Sequence, residues 1–323
     1  MATTTQPTTF LDLYTFLQNA TRETTGVTAT ENQAKRSINV ALQDLHLGFD
    51  YRYPWAERSA ILITQAEYTT GTLTATKGST TITGSGTAWN TANDFSINNM
   101  RAGGKIRINS GSEVYEISSI ASDTSATLTS RFTQTTVSAA SYVYFEDEYA
   151  LATDFLRPID LRSFSEDWDI ELIGRSEFRR RYIRNYITGK PSVACLLDKP
   201  FSGSTTPVRK VQLHKPSDKA YMIPYNYVTS NLAVSSAGAA QAGLSADADE
   251  PIVPLRYRYG ILLHALSIWY RDHKDDSRAN DVKSEYVDFM SRVIGDFETG
   301  ASRPQIRPRI SEYAQRARRP YSG

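Results

Sequence analysis

The feature that most constrains this chain is the stretch Pro251 to Phe297, where two helical patterns are separated by a very short link. In the first, from Pro254 to about Arg271, Leu255, Tyr259, Leu262, Leu263, Leu266, Trp269 and Tyr270 recur at helical spacing. Ile261, Ala265 and Ile268 fill much of the remaining circumference, and a helix apolar on most sides must be surrounded by other elements. Proline in its first turn is tolerated, because the missing N–H has no intrahelical partner there. Asp276 or Ser277 can cap the second pattern, in which Val282, Tyr286, Phe289 and Val293 fall at i, i+4, i+7 and i+11 and which Gly300 ends. The link from His273 to Asp276 is short enough to predict an antiparallel helical hairpin.

Two further helices are expected at the other end of the chain. Thr9 caps the first, with Asp12 three residues on and Phe10, Leu13, Tyr14 and Leu17 as a narrow apolar stripe. Thr28 with Glu31, or Thr30 with Gln33, opens the second, whose buried face is Ala34, Ile38, Ala41, Leu42 and Leu45. Gly48 ends it, the aromatic run Phe49 to Trp55 follows, and a strand is expected over Arg58 to Thr64. At Thr69 the texture changes abruptly. From there to about Phe145 the chain is rich in threonine and serine and punctuated by Gly71, Gly78, Gly84, Gly86, Gly103, Gly104 and Gly111. Alternation over Lys105–Ile108, Val114–Ile120 and Tyr142–Phe145 predicts a small all-β barrel or sandwich. Beyond it come a short helix over Ser176 to Thr188 with Arg179, Arg180 and Arg181 partly on its solvent face, then strands at Ser192–Leu197, Arg209–His214 and Ala220–Val228. Pro216-Ser217-Asp218 reads as the hairpin turn between the last two strands, and residues 235–250 read as a linker without period.

The chemistry visible in these residues is sparse. Composition is that of an ordinary globular chain, 40% hydrophobic and 22% charged, with a net charge of +1 that gives no global attraction to nucleic acid or membrane. The one cysteine, Cys195, excludes an internal disulfide framework, and no apolar run reaches the roughly 20 residues needed to cross a bilayer. The threonine-rich start lacks the features of a signal peptide. His46, His214, His264 and His273 have no partners at metal-ligand spacing, and His264 on the central helix reads as a hydrogen-bonded core residue. Gly84-Ser85-Gly86 lacks the third glycine and following helix of a dinucleotide site. Glu146, Asp147 and Glu148, with Asp154 and Asp160 nearby, read as a solvated face more readily than as a metal or acid–base site. Ser165 to Asp169 lacks the ligand spacing of a calcium loop. No nucleophile, base and orienting group occur together, so neither an enzyme nor a cofactor is expected.

One local signal stands out. The end of the chain carries Arg303, Arg307, Arg309, Arg316, Arg318 and Arg319 with Tyr313 and Tyr321, broken by Pro304, Pro308 and Pro320. Too few apolar residues are present for it to fold alone, so it is expected to be disordered in the free subunit, either as a solubilising tail or as an arm that orders on a partner through arginine contacts and tyrosine anchors. If it neutralised about six phosphates instead, affinity for nucleic acid would fall with a log–log salt slope of roughly −5.

Taken together the layout resembles the tailed-bacteriophage head-to-tail adaptors, also called connectors or tail tubular proteins of the A type. Leu151 to Pro158 resembles the family segment leading to a docking loop, Lys210 to Tyr221 its strand–proline–turn–strand hairpin, and Pro251 to Phe297 its closing helices. Lys77 to Trp89, with the turn Ser122 to Leu128, resembles a small β module found in phage tail and neck proteins. The expected fold class is accordingly α+β: a helical-bundle adaptor core with a short β hairpin, interrupted by an inserted all-β barrel or sandwich. The expected divisions are 1–64 and 148–297 for the helical adaptor domain, with the docking hairpin in its second part, 65–147 for the β insert, and 298–323 for an extended basic arm. The resemblance implies a virion protein of the neck, assembled in the host cytoplasm into a ring, usually dodecameric, beneath the portal protein. Such a ring extends the DNA channel without reading its sequence and offers a surface to the tail nozzle or next neck protein. The arm would dock on the portal, the insert would hold a tail fibre, and no membrane is involved. Tyr51, Tyr53 and Trp55 are candidate exposed aromatics between subunits. The alternative is a tail-associated module whose β insert binds a receptor or carbohydrate, Trp89 being the residue to stack on a sugar.

Overall fold

The structure is a computed structural model that describes residues 6–23, 27–47, 52–109, 111, 113–161, 169–182, 186–199 and 208–298. The chain divides into two compact units, one formed by residues 1–56 and 231–323, the other by 57–230.

In the first unit, α1 (Phe10–Thr21) begins as a capping box. The Thr9 hydroxyl accepts from the Asp12 N–H, and the Asp12 carboxylate accepts from the Thr9 and Thr8 N–H groups at 3.0 Å each. Arg22 ends the helix in the left-handed region at φ 59°. α2 (Thr28–Leu47) buries Ala34, Ile38, Ala41, Leu42 and Leu45, the face its periodicity predicts. The hairpin is present as α4 (Tyr259–Asp272) and α5 (Asp276–Glu298), labelled after α3 of the other unit, and Leu255–Tyr257 precedes them as a single 3-10 turn. α4 is the central element, packing against α1, α2 and α5. Gly260 lets α5 come close: a Cβ there would stand 3.0 Å from the Phe289 ring and 3.1 Å from the Met290 sulfur. Residues 235–250 are not the structureless linker expected. Ala233–Val234, Ala240–Gln241 and Glu250–Pro251 pair as a small three-stranded sheet, and Leu244 enters the helical core. Asp249 fixes the loop by accepting from the N–H groups of Ser245 and Ala246. These two bonds hold its carboxyl below the usual range.

The second unit corrects the expected fold class. Among the described residues the chain has 17 strands in four sheets and only five α-helices, so it is not a helical-bundle core carrying a short hairpin. Much of the excess lies in segments expected to belong to the helical domain. β1 (Glu57–Ile63) pairs with β14 (Met222–Thr229), which pairs on its other side with β10 (Phe155–Leu161). β9 (Glu148–Ala150), β11 (Glu171–Leu172), β12 (Val193–Lys199) and β13 (Val208–His214) form a second sheet in the order β11-β12-β13-β9. The two sheets share a core of Leu62, Tyr149, Leu151, Phe155, Val211, Leu213, Ile223 and Tyr225, so these strands build a sandwich of their own. Strand alternation explains it. On β12, Val193, Cys195 and Leu197 face the short helix α3 (Arg175–Arg181) through Phe178, while Ala194 faces the sandwich. The expected hairpin across Pro216 does not form either. β13 and β14 lie in different sheets, and the buried Pro216 and Ser217 form a corner between them.

The Gly/Thr-rich stretch forms a seven-stranded sheet from β2 (Thr72–Ala75), β3 (Thr81–Ser85), β4 (Lys105–Ile108), β5 (Val114–Ser122), β6 (Ser125–Leu128), β7 (Val137–Ala140) and β8 (Tyr142–Phe145), in the order β7-β2-β3-β6-β5-β4-β8. The first and last strands in that order are separated in sequence by Ser141 alone, which forces the sheet to curl until its two edges meet. Inside the curl lie Leu73, Ile82, Trp89, Ile106, Ile108, Ile117, Leu128, Phe132 and Tyr144. The remaining strands, Ala233–Val234 (β15), Ala240–Gln241 (β16) and Glu250–Pro251 (β17), are those of the small sheet in the first unit.

Candidate functional site

The residues singled out for chemistry are dispersed and satisfied. Glu146 and Asp147 are not a solvated face: they are 4% and 1% exposed. The Arg101 guanidinium grips Glu146 with both ends, its Nε at 2.9 Å, and Tyr144 donates to the same carboxylate at 2.5 Å. Lys105 holds Asp147 at 2.6 Å, and the Gln212 amide donates to it at 2.8 Å. Burial, reinforced by the charge on Glu146, pushes the Tyr144 phenol well above its ordinary value. Two carboxylates each matched by a cation form a structural zipper at the end of β8, not an acid–base pair. Asp154 instead accepts from the Tyr227 and Thr229 hydroxyls at 2.8 and 2.6 Å, and Asp160 accepts from the Asn226 amide. Beside the zipper, Ile61, Ile63, Gly103, Gly104, Tyr149 and Lys210 line a cleft of about 380 Å³.

The histidines are equally engaged. His264 lies 3.1 Å from the Asp44 carboxylate and stacks on Tyr286 at 4.5 Å. Burial lowers its pKa even though Asp44 pulls the other way. His46 contacts the Leu42 carbonyl and accepts from the Trp55 indole, His214 stacks on Tyr182 at 3.9 Å, and His273 bonds the Trp269 carbonyl. Cys195 is fully buried, and desolvation pushes its thiol up to about 11. Among the described residues no group of three or more His, Cys, Asp or Glu side chains is placed to hold a metal ion. No helix searched is long and apolar enough to cross a membrane.

The aromatics expected between subunits are placed differently. Tyr53 is 2% exposed and stacks on Trp55 at 4.5 Å, and Trp55 in turn packs on Tyr257 and Phe297. These two rings close the helical core, because the turn at Pro54 folds them back under α5; Tyr53 is corrected here from a surface to an interior residue, and Trp55 is half-buried against the core. Tyr51 lies outside the described residues. Trp89 is likewise fully buried, its indole N–H donating to the Tyr142 hydroxyl at 2.9 Å, so it presents no face to a sugar. The arm residues Arg303, Arg307, Arg309, Tyr313, Arg316, Arg318, Arg319 and Tyr321 lie outside the described residues, as do Gly300 and most of Ser165 to Asp169. Arg179, Arg180 and Arg181 are exposed on α3 as expected.

A surface that the periodicity of α1 did not single out is the groove between α1 and α4. Phe16, Leu17, Ala20, Tyr259, Leu262, Leu263 and Leu266 line it without a single charge. Phe16 and Tyr259 are 47% and 42% exposed. The signal was present in the sequence. α1 has apolar residues off its inward stripe, at Leu11 and Phe16, and its one charged residue, Asp12, is consumed by the cap. The second missed residue is Arg258. Nearly buried, it donates to the Val253 and Pro251 carbonyls and to the Glu250 carboxylate, and so fixes the chain entering α4. What the groove offers chemically is an uncharged apolar contact surface. No known protein family and no curated protein sequence matches the chain.

Proposed function

We propose that this chain is a structural assembly subunit of a tailed-phage neck, a head-to-tail adaptor that forms a ring beneath the portal protein and receives the tail nozzle or the next neck protein. The observation that carries the reading is the helical unit: both ends of the chain build it around α4, and it displays a charge-free groove flanked by the exposed rings of Phe16 and Tyr259. A monomer that functioned alone would gain nothing from leaving those rings in water. A second support is that every carboxylate and histidine weighed as a catalytic candidate and described above is committed to a structural bond. In this reading the β insert of residues 65–147 holds a tail fibre or neighbouring ring, and the arginine-bearing arm contacts the portal. DNA passes through the lumen without sequence-specific contact.

The test is electron microscopy of the chain mixed with the portal protein encoded by the same genome, comparing the full chain with one ending at Gly300. A ring capping the portal, lost on truncation, supports the reading and gives the arm its part in it. Absence of binding by both forms to an intact portal removes it.

A further inference from the structure

The groove between α1 and α4 asks for an occupant of definite chemistry. Its floor is Leu17, Leu262, Leu263 and Leu266 and its lips are the rings of Phe16 and Tyr259, so it selects an apolar stripe and rejects charge. One lip is acidic on its far side. The Tyr259 ring meets Phe289 of α5 edge to face at 5.9 Å, and the charge of Glu285, one turn before Phe289, reaches the Tyr259 hydroxyl. Asp281 and Asp288 lie four residues before and three after Glu285 on the same exposed side of α5, so that the three carboxylates outnumber Arg292, which lies over the Phe289 ring on that side. A fitting segment is therefore amphipathic, with an apolar stripe flanked by cations.

The chain contains such a segment. Between Pro308 and Pro320 no proline intervenes, and Ile310, Tyr313, Ala314 and Ala317 fall at i, i+3, i+4 and i+7. At that spacing Arg309 and Arg316 flank the stripe on one side and Arg318 on the other. This is the pattern of a helix laid into an apolar groove.

We infer that residues 309–319 of one subunit dock in the α1–α4 groove of its neighbour, with Ile310 and Tyr313 against Phe16, Leu262 and Leu266 and the arginines over the acidic side of α5. The ten residues 299–308 after α5 give the segment a reach of up to about 33 Å when extended. The exchange also supplies what a ring needs, a heterologous contact in which the segment is one face and the groove is the other. Arg303 and Arg307, before the segment, Arg319, opposite the stripe, and Tyr321, after it, are left for the portal contact of the arm. The exchange between neighbours rests on the ring reading above; the fit of segment to groove does not.

The test uses the full chain. A photoreactive benzoylphenylalanine replaces Tyr313, isotopically light and heavy subunits are mixed and assembled, and cross-linked peptides are identified by mass spectrometry. The expected result is light-to-heavy cross-links landing within residues 16–20 or 259–266. Phe16→Asp and Ile310→Asp should each cut that yield about ten-fold or more, with helical content and thermal midpoint unchanged. Cross-links that map elsewhere, or that join only residues of the same chain, overturn the inference, as does a yield indifferent to both substitutions. Cross-links of the expected kind from rings that fail to cap the portal would sustain the inference and remove the adaptor reading. Portal-capping rings without them would do the reverse.

Discussion

At the scale of single residues, the molecule places its charges where a partner is already waiting, and that makes the consequences of removing either partner specific. Replacing Arg101 by alanine strands the buried Glu146 carboxylate with Tyr144 as its remaining side-chain donor, and should cost about 1–3 kcal/mol in urea denaturation. Adding Glu146→Gln to Arg101→Ala should recover part of that loss, because the orphaned charge is gone. His264 yields a prediction in pH. Burial holds its folded pKa below the ordinary 6.5, so the unfolded chain takes up the proton first. The contribution of the neutral ring is therefore intact above pH 6.5 and is lost as pH falls through the folded value. Thermal melts at pH 7.5 and 5.5 should show a smaller drop for His264→Gln than for the parent; an equal drop would exclude His264 as the source. The sequence marked His264 correctly as a hydrogen-bonded core residue, since it sits on an apolar helix. It missed the burial of Glu146 and Asp147, because their partners Arg101, Lys105 and Gln212 are 42 to 65 residues away in the chain.

At the scale of elements, local chemistry and long-range pairing had unequal visibility. The Thr9–Asp12 box, the buried face of α2 and the hairpin of α4 and α5 are helical patterns whose reach is one or two turns, and they are present at nearly the predicted residues. The strands at Glu57–Ile63, Val193–Lys199 and Val208–His214 were also expected near their positions. Their pairing was not, since β1 joins a partner more than 150 residues away and alternation carries no information about which strand lies alongside. Gly71, just before β2, shows how tightly such pairing is built. It sits at φ +82°, and a Cβ there would lie 2.5 Å from the Ser85 carbonyl oxygen, a backbone atom that cannot swing aside. Gly71→Ala should destabilise the β unit by more than about 1 kcal/mol, measured as a shift in urea midpoint, whereas Gly78→Ala, with open space around it, should cost less.

At the scale of the whole molecule, two units with separate cores should unfold as two transitions. Calorimetry is expected to resolve them, and Trp89→Ala, which empties a fully buried site in the curled sheet, should lower only the transition of residues 57–230, by about 3–5 kcal/mol. Leu42→Ala in the helical core should lower only the other, by about 2–5 kcal/mol. A single transition moved by both substitutions would show that the units unfold together. The sequence by itself determined the local elements: where helices start and stop, and where glycine and threonine replace helix formers. Those properties depend on neighbours within a few residues. Tertiary structure alone decided that the strands outside the glycine-rich stretch make a sandwich with its own core and not appendages of a helical bundle. It also turned Tyr53 and Trp89 inward, and left Phe16 and Tyr259 facing water. Burial is set by what packs against a residue from elsewhere in the chain, and no periodicity along the sequence records it.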